Sequence, residues 1–490
     1  MSSNANENPH HNRRWLILAF LGMAQLMVVL DATIVNIALP SAQADLGFSD
    51  GMRQWVITAY ALSFGSLLLL GGRLSDLFGR KWTFIVGLGG FAAASALGGM
   101  ADSFGVLVGA RALQGAAGAL LAPAALSLLT TTFTNPDERG KAFGVFGAIA
   151  GGGGAIGLLL GGVLTEYLSW RWSMYVNLLF AIPVAIGAFI LLTNQVAANR
   201  PRIDIPGTVT ATTGLFALVY GFSSAETNGW GAGITVASLA ASVILLAAFV
   251  IIERRVTNPL LPMRVVLDRA RGGSFLAVGM AGITMFGTFL FLTYYLQQTL
   301  GFSPIQTGLA FLPMVATIMV VATTASTKLL YRTGPRPLVP TGMVLAAGGM
   351  LFLTGISVDS TYVANVLPGL VLLGAGFGLV MAPSMATATQ GVRPADAGIA
   401  SAMVNTAQQI GGSVGTALLS TLSASAATAF ASEHAPSAAL AAEAAVHGYQ
   451  TAFWWSAGIL ALGAVVTALL LESGAPETQT EGETDLVMAH

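Results

Sequence analysis

Long apolar runs, separated by short polar segments, follow one another along the whole sequence. About 20 apolar residues let a helix cross a hydrocarbon core of about 30 Å. Fourteen runs approach or exceed this length, and we number them spans 1 to 14, at residues 15–38, 54–72, 82–100, 105–130, 142–165, 172–193, 207–225, 233–252, 273–297, 305–330, 337–357, 362–386, 397–423 and 451–471. The pattern predicts an all-α polytopic membrane protein with 14 transmembrane helices.

The positions of Lys and Arg predict which ends of the spans face the cytoplasm. If the amino terminus is cytoplasmic, the cytoplasmic segments hold all but three of the 21 basic residues. Arg53 and Arg171 fall outside, and Arg111 lies within span 4. This bias follows the positive-inside rule, and a miscount by one span would invert every later loop. We therefore predict that both termini are cytoplasmic.

Composition narrows the classes of function. Hydrophobic residues make up 54% of the chain and charged residues 9%, which leaves too little polar surface for a soluble globule. The basic residues are scattered, so nucleic acid is not an expected partner. There is no Cys, and the five His lie outside the spans, so we predict no metal site and no cofactor. No enzyme activity is predicted, and a Walker-type phosphate loop is absent from the sequence.

Two short patterns occur twice at nearly the same spacing. Residues 118–123 read GALLAP and residues 378–383 read GLVMAP, while residues 153–157 read GGAIG and residues 411–415 read GGSVG. They pair span 4 with span 12 and span 5 with span 13, as in transporters built from two parallel six-helix repeats. The predicted division is a cytoplasmic tail, a six-helix half, two inserted helices, a cytoplasmic connection, a second six-helix half and an acidic tail, at residues 1–14, 15–193, 207–252, 253–272, 273–471 and 472–490.

A carboxylate, Asp31, lies deep in span 1, where residues 30–40 read LDATIVNIALP. An ionised group at this depth is costly, so it faces a watery cavity, titrates or meets a cation. The alternative is an Asp wetted at the outer interface, because Pro40 follows closely. Arg111 is the base available within a span, and its proximity would control the protonation of Asp31. Alternatively, Arg111 bonds backbone carbonyls and holds helices together.

The loop after span 2, residues 72–81, reads GRLSDLFGRK. It resembles the signature loop of the major facilitator superfamily, G-x-L-A-D-R-x-G-R-K. The resemblance implies a cytoplasmic gate that latches the two halves in the outward-open state, formed by Gly72, Asp76, Gly79, Arg80 and Lys81. Alternatively, Arg80 and Lys81 only set the topology.

Two further segments resemble motifs of this family. Residues 111–118, RALQGAAG, are similar to a motif whose buried Arg and Gln-Gly are linked to proton coupling. In span 5, Gly153, Gly157 and Gly161 form a small-residue face that resembles the antiporter motif G-x-x-x-G-P-x-x-G-G, with Leu158 at the proline position. Such a face lets a partner helix approach closely or slide. Tight helix packing alone is the alternative.

The 14 spans, the acid in span 1 and the sequence WRW at residues 170–172 are together similar to the fourteen-span drug:proton antiporters. The resemblance implies efflux of hydrophobic or cationic drug-like compounds by a monomer in a bacterial plasma membrane, through alternating access, with a small-molecule substrate, protons and the lipid bilayer as partners. Alternatives are a facilitator or importer of a small organic solute with the same fold, and a non-transporting sensor.

We expect polar and aromatic side chains within the spans to contact the substrate. The candidates are Asp31, Asn36, Tyr60, Gln114, Tyr294, Gln298, Asn405 and Gln409. Asn405 and Gln409 are four residues apart, so they share one helix face. Equally, side chains of this kind can simply join helices.

Overall fold

The computed structural model describes residues 13–133, 135–194, 204–257, 259–390, 392, 397–437 and 439–472. In this part of the chain, long helices occupy the positions of all 14 predicted spans, and no strand is present. They are α1 (Arg14–Leu46), α2 (Asp50–Phe78), α3 (Arg80–Gly99), α4 (Phe104–Thr132), α5 (Pro136–Tyr167), α6 (Trp172–Leu191), α7 (Ile205–Asn228), α8 (Gly233–Arg255), α9 (Arg269–Tyr294), α10 (Pro304–Thr324), α11 (Pro335–Leu353), α12 (Leu367–Thr389), α13 (Ala397–Glu433) and α14 (Leu440–Leu470). The all-α polytopic class is confirmed.

Thirteen helices of the described part are long and apolar enough to cross a membrane. The glycine-rich helix α5 is not among these thirteen, so the count of 14 spans stays a prediction. Short π-helical turns continue α9 through Thr299 and α10 through Leu329, and another one precedes α12. The chain therefore runs back and forth between the two ends of the molecule, and most successive helices are joined by turns of a few residues.

Several helices extend beyond the apolar runs that predicted them. Helix α1 continues through Pro40 and ends at Gly47, whose φ of 65° is the left-handed conformation that glycine adopts at helix ends. Helix α13 runs ten residues past the predicted limit at 423, and α14 begins eleven residues before 451. Both extensions are rich in Ala, the strongest helix former. Hydropathy marks the lipid-facing part of a helix but not where the helix ends.

The first six helices pack in the same pattern as the last six, and we call these sets the first bundle (α1–α6) and the second bundle (α9–α14). In the first bundle, α4 packs on α2 and α3, and α1 packs on α5 and α6. In the second bundle, α12 packs on α10 and α11, and α9 packs on α13 and α14. The bundles meet where α2 contacts α13 and where α5 contacts α10, and the α7–α8 hairpin packs against α13 and α2.

We call the end of the molecule where α1 begins and α14 ends the inner end, and the opposite end the outer end. The Lys and Arg bias predicts that the inner end is cytoplasmic.

The glycine face of α5 packs against α1. A Cβ atom on Gly153 would come within 3.1 Å of Leu26 and Val29, and one on Gly161 within 3.0 Å of the Ile34 backbone. A Cβ atom on Gly157 would collide with the Thr33 hydroxyl. The three glycines therefore share one face, and their partner helix belongs to the same bundle.

A different face of α5 meets the second bundle. A Cβ atom on Gly308 of α10 would lie 2.5 Å from the carbonyl oxygen of Leu158. Leu158, which stands at the proline position of the antiporter motif, is fully buried there. The residue at which this chain departs from the motif thus lies at the contact between the bundles.

Replacing Gly157 with Ala should lower the free energy of unfolding by about 1–3 kcal/mol, because the added methyl group overpacks the contact with Thr33 on α1. The measurement is the thermal unfolding midpoint of the purified protein in detergent. Gly154→Ala is the matched control, because nothing lies within 4 Å of a Cβ atom at that position. Equal midpoints for both variants would contradict the close approach of α5 and α1.

Candidate functional site

Asp31 lies near the middle of α1, about 25 Å from its first residue at 1.5 Å per residue. Its Oδ2 accepts a hydrogen bond from Arg111 Nη1 at 2.5 Å. Its Oδ1 accepts from Gln114 Nε2 at 2.9 Å and from Asn177 Nδ2 at 2.7 Å. Asp31 is 0% exposed and Arg111 2% exposed, so the ion pair is buried. Each carboxylate oxygen therefore has at least one donor, which a buried charge requires.

The remaining contacts of Arg111 stay within the first bundle. Its Nε donates to the Val56 carbonyl at 3.1 Å, and Nη1 also donates to Gln114 Oε1 at 2.8 Å. The guanidinium carbon lies 4.4 Å from the centre of the Tyr60 ring, a distance typical of cation–π contacts. Arg111 thus neutralises Asp31 and also bonds a backbone carbonyl, as the alternative interpretation expected.

Two members of this network were not predicted from the sequence. Ser95 Oγ of α3 accepts from Gln114 Nε2 at 2.7 Å and from Asn177 Nδ2 of α6 at 3.2 Å. Both residues are fully buried. Asn177 is the one amide side chain in span 6, which was the available signal, whereas serine is too common in membrane helices to stand out. We call Asp31, Ser95, Arg111, Gln114 and Asn177 the polar network.

The polar network decides between the interpretations of Asp31. A wetted position at the outer interface is wrong, because the side chain is fully buried and α1 continues fifteen residues beyond it. The carboxylate meets a cation instead. The network joins α1, α3, α4 and α6, and Val56 and Tyr60 add α2. Five of the six helices of the first bundle therefore converge on one charge.

The eight candidate substrate residues do not form one cluster. Asp31, Tyr60 and Gln114 belong to or border the polar network, and Asn36 donates to the Ala32 carbonyl at 2.9 Å on the same helix. Tyr294 is buried at the outer end, where Gln298 is exposed. On α13, Asn405 is exposed and Gln409 is half-buried. Spacing along the sequence gives the face of one helix, but not which part of a bundle that face meets.

The residues of the predicted gate lie at the inner end, in the last two turns of α2, at Gly79 and in the first turn of α3. Gly79 has a φ of 95°, which favours glycine in the turn. Lys81 Nζ donates to the Phe189 carbonyl of α6 at 2.9 Å, while Arg80 begins α3. Gly72 lies near the end of α2, where a Cβ atom would contact Pro123 of α4. The side chain of Asp76 lies outside the described residues.

One contact near the inner end of α2 was not predicted. Arg73 Nη2 donates to the Pro259 carbonyl at 2.7 Å. Pro259 belongs to the connection after α8, so this bond ties the inner end of α2 to the segment that leads into the second bundle.

Comparison with known proteins agrees with the helical architecture. The family model described as the Major Facilitator Superfamily matches residues 21–416. A puromycin resistance protein of Streptomyces alboniger is 50% identical over 97% of this chain and 95% of its own length. A cephamycin export protein of Amycolatopsis lactamdurans is 40% identical over 82% of this chain and 83% of its own. A tetracenomycin C resistance and export protein of Streptomyces glaucescens is 34% identical over 84% and 76%.

Solved structures support the fold. A POT family transporter aligns with a TM-score of 0.68 at 15% identity, over 93% of this chain and 97% of its own. A bacterial homologue of the human lysosomal transporter Spinster, in an inward-facing and unoccupied conformation, aligns with a TM-score of 0.64 at 15% identity, over 93% and 96%. At this identity the likeness concerns the fold alone.

Removing one partner of the buried ion pair should destabilise the protein strongly. We expect Arg111→Met to cost about 3–5 kcal/mol, because the Asp31 carboxylate stays buried without its cation. The double variant Asp31→Asn/Arg111→Met should cost less than the sum of the two single changes, since neither charge then remains. Thermal unfolding midpoints of the four proteins in detergent measure this coupling. Additive losses would show that the pair does not hold the first bundle together.

Proposed function

Since the chain belongs to the major facilitator superfamily, we propose that it is a proton-coupled exporter of hydrophobic or cationic antibiotic-like compounds. Members of this superfamily are multi-pass membrane transporters of small molecules and not enzymes. The observation that carries the proposal is the buried Asp31–Arg111 ion pair at the centre of the first bundle. The direction of transport is supported by relatives named for resistance to puromycin and export of cephamycin, which align over most of both chains.

The proton and Arg111 compete for the same carboxylate. Arg111 occupies Oδ2 of Asp31, so in this conformation the Asp31 side chain acts only as an acceptor. A proton can bind when Arg111 moves away, and Arg111 keeps the Val56 carbonyl, the Gln114 oxygen and the Tyr60 ring as partners. Arg111 therefore keeps three of its present contacts when its bond to Asp31 is broken. Asp31 can alternate between a charged, paired form and a neutral, protonated form.

Helix α1 connects this exchange to the movement of the bundles. Beyond Asp31, the Ile37 carbonyl accepts from Gln297 of the second bundle at 3.1 Å. One and a half turns further, Gln43 Oε1 accepts from the Tyr294 hydroxyl at 2.5 Å. Opening of the outer end breaks both contacts and releases α1 from the second bundle. The position of α1 relative to α4, and hence the contact of Asp31 with Arg111, then depends on which end is open.

We propose that the substrate lies between the bundles, where α13 carries Asn405 and Gln409. Asn405 is exposed although it lies within a membrane helix, and the Oε1 atom of Gln409 is buried with no hydrogen-bond partner among the described residues. The exposed Asn405 fits a surface that a polar or cationic compound would cover. Gln409 packs against Gly65 of α2, so its Oε1 atom can gain a partner when α2 and α13 separate. Asp31 then influences substrate binding through the conformation of α1, because it has no open surface of its own here.

The proposed organisation is a monomer in a bacterial plasma membrane with a cytoplasmic inner end. It consists of the two six-helix halves, with the α7–α8 hairpin inserted between them. The repeated packing of the two bundles supports this division, and the Lys and Arg bias supports the orientation. We propose that the cytoplasmic gate consists of Gly72, Asp76, Gly79, Arg80 and Lys81, and the neighbouring bond from Arg73 to Pro259 supports a contact with the segment that leads into the second bundle.

A facilitator or importer with the same fold is the second candidate. Leu158 favours it, because the proline of the antiporter motif is missing at the contact between α5 and α10. Proton movement separates the two candidates, since a facilitator moves its solute without it.

Asp31→Asn should abolish proton-coupled efflux, because the amide cannot bind and release a proton. The assay adds puromycin to purified protein in weak buffer and records proton release, then measures puromycin efflux from vesicles under a proton gradient. Asp45→Asn is the matched control: Asp45 lies on the same helix but is half-exposed at the outer end, bonded to Arg171. The control should release protons as the wild type does.

Two results would contradict the proposal. Undiminished proton release and efflux in Asp31→Asn would remove Asp31 from the coupling. Puromycin transport by the wild type without any proton movement would favour the facilitator.

A further inference from the structure

The outer end of the molecule is closed by contacts between the two bundles. Side-chain hydrogen bonds join the two bundles directly at this end, and three of them link α1 or α5 to α9 and α10. They connect Tyr294 to Gln43, Gln297 to the Ile37 carbonyl, and the Ile305 backbone N–H to Glu166, at 2.5, 3.1 and 3.1 Å. Any outward-facing state has to break them.

A buried cation lies at the centre of this closure. Arg53, in the first turn of α2, is only 7% exposed. Its guanidinium carbon lies 4.1 Å from the centre of the Tyr294 ring on α9 and 5.9 Å from that of the Tyr449 ring on α14. Tyr294 and Tyr449 are themselves 0% and 3% exposed. The cation comes from the first bundle and both aromatic faces come from the second.

A series of polar contacts leads from Arg53 back to Tyr294. Arg53 Nη1 lies 3.7 Å from Asp50 Oδ1, and that oxygen accepts from Gln43 Nε2 at 2.8 Å. Gln43 Oε1 in turn accepts from the hydroxyl of Tyr294, whose ring carries the cation. These contacts therefore join α1, α2 and α9. We call Gln43, Asp50, Arg53, Tyr294 and Tyr449 the outer lock.

The chemistry of the outer lock suits a contact that must open. Its one carboxylate is 3.7 Å away and largely exposed, and Arg53 Nε has no hydrogen-bond partner among the described residues. The buried charge is compensated by the two rings and by a side-chain hydrogen bond between Arg53 and Tyr449. When the bundles separate, water can replace the rings around the guanidinium at little cost. An apolar contact of the same size would expose hydrophobic surface instead.

We propose that Arg53 is the ligand of a cation site built by Tyr294 and Tyr449, and that occupation of this site by a guanidinium ion holds the outer end closed. When Arg53 withdraws with the first bundle, the two rings form an open site for a planar organic cation. The proposal rests on the alternating movement of the proposed function, but on neither the proton coupling nor the identity of the substrate.

Arg171 provides a matched control at the same end. Its guanidinium carbon lies 4.6 Å from the Trp170 ring, and it bonds to Asp45 and to the Ala101 carbonyl. It therefore has the same elements as Arg53, namely an aromatic face and a carboxylate. All of these partners belong to the first bundle or its loops, so removing Arg171 should not affect closure.

The experiment measures the separation of the bundles at the outer end. The chain has no Cys, so spin labels can be attached at Leu168→Cys and Asp359→Cys, two exposed positions in outer loops of the first and second bundles. Double electron–electron resonance in lipid nanodiscs, without substrate or proton gradient, gives the distance distribution. Arg53→Ala should shift the population to longer distances, and Arg171→Ala should leave it as in the wild type. Guanidinium chloride should return Arg53→Ala to the short distance, whereas urea, which has the same shape but no charge, should not.

Two outcomes overturn the inference: an unchanged distribution in Arg53→Ala, or equal rescue by urea and guanidinium. If Arg53→Ala does not fold, Tyr449 provides the test with Arg53 in place. Tyr449→Phe removes the hydroxyl that bonds with Arg53 but keeps the ring face, so it should open less than Tyr449→Leu. Equal behaviour of the two rejects the cation site. The distance measurement involves neither protons nor substrate, so a negative result does not contradict the export proposal. Likewise, a negative Asp31 assay does not contradict the proposal for the outer lock.

Discussion

The structure of the first bundle depends on keeping one negative charge away from lipid and water. A carboxylate in the hydrocarbon region is tolerated when a cation and further donors surround it. Asp31 obtains these from α4 and α6, with Ser95 of α3 behind them. Polar contacts thus position the helices of this bundle. In lipid, burying apolar surface does not favour one packing of helices over another.

The sequence predicts the number and order of the helices because hydropathy is a property of each helix by itself. The extended ends of α13 and α14 were missed because alanine continues a helix without adding a long apolar run. Asp31 and Arg111 stood out because charges are rare in apolar spans. Ser95 did not, since serine is frequent there, and the single amide of span 6, Asn177, gave no sign that its partners lie on other helices.

Arg53 and Arg171 illustrate a second limit. Both are basic residues in outer segments, and the sequence gives no reason to treat them differently. The fold turns Arg53 toward aromatic rings of the second bundle and Arg171 toward an aromatic ring of the first. Whether a residue contacts the other bundle or only its own depends on the tertiary arrangement, which no local pattern encodes.

Helix α1 carries Asp31 of the ion pair and accepts two hydrogen bonds from the second bundle, at Ile37 and at Gln43. Between Asp31 and Ile37 it contains no Gly or Pro. This segment therefore has no joint between Asp31 and the first hydrogen bond to the second bundle, whereas Pro40 lies inside the helix between that bond and Gln43. In the exporter proposed above, a shift of the outer end reaches Asp31 through a helix without Gly or Pro only from the level of Ile37.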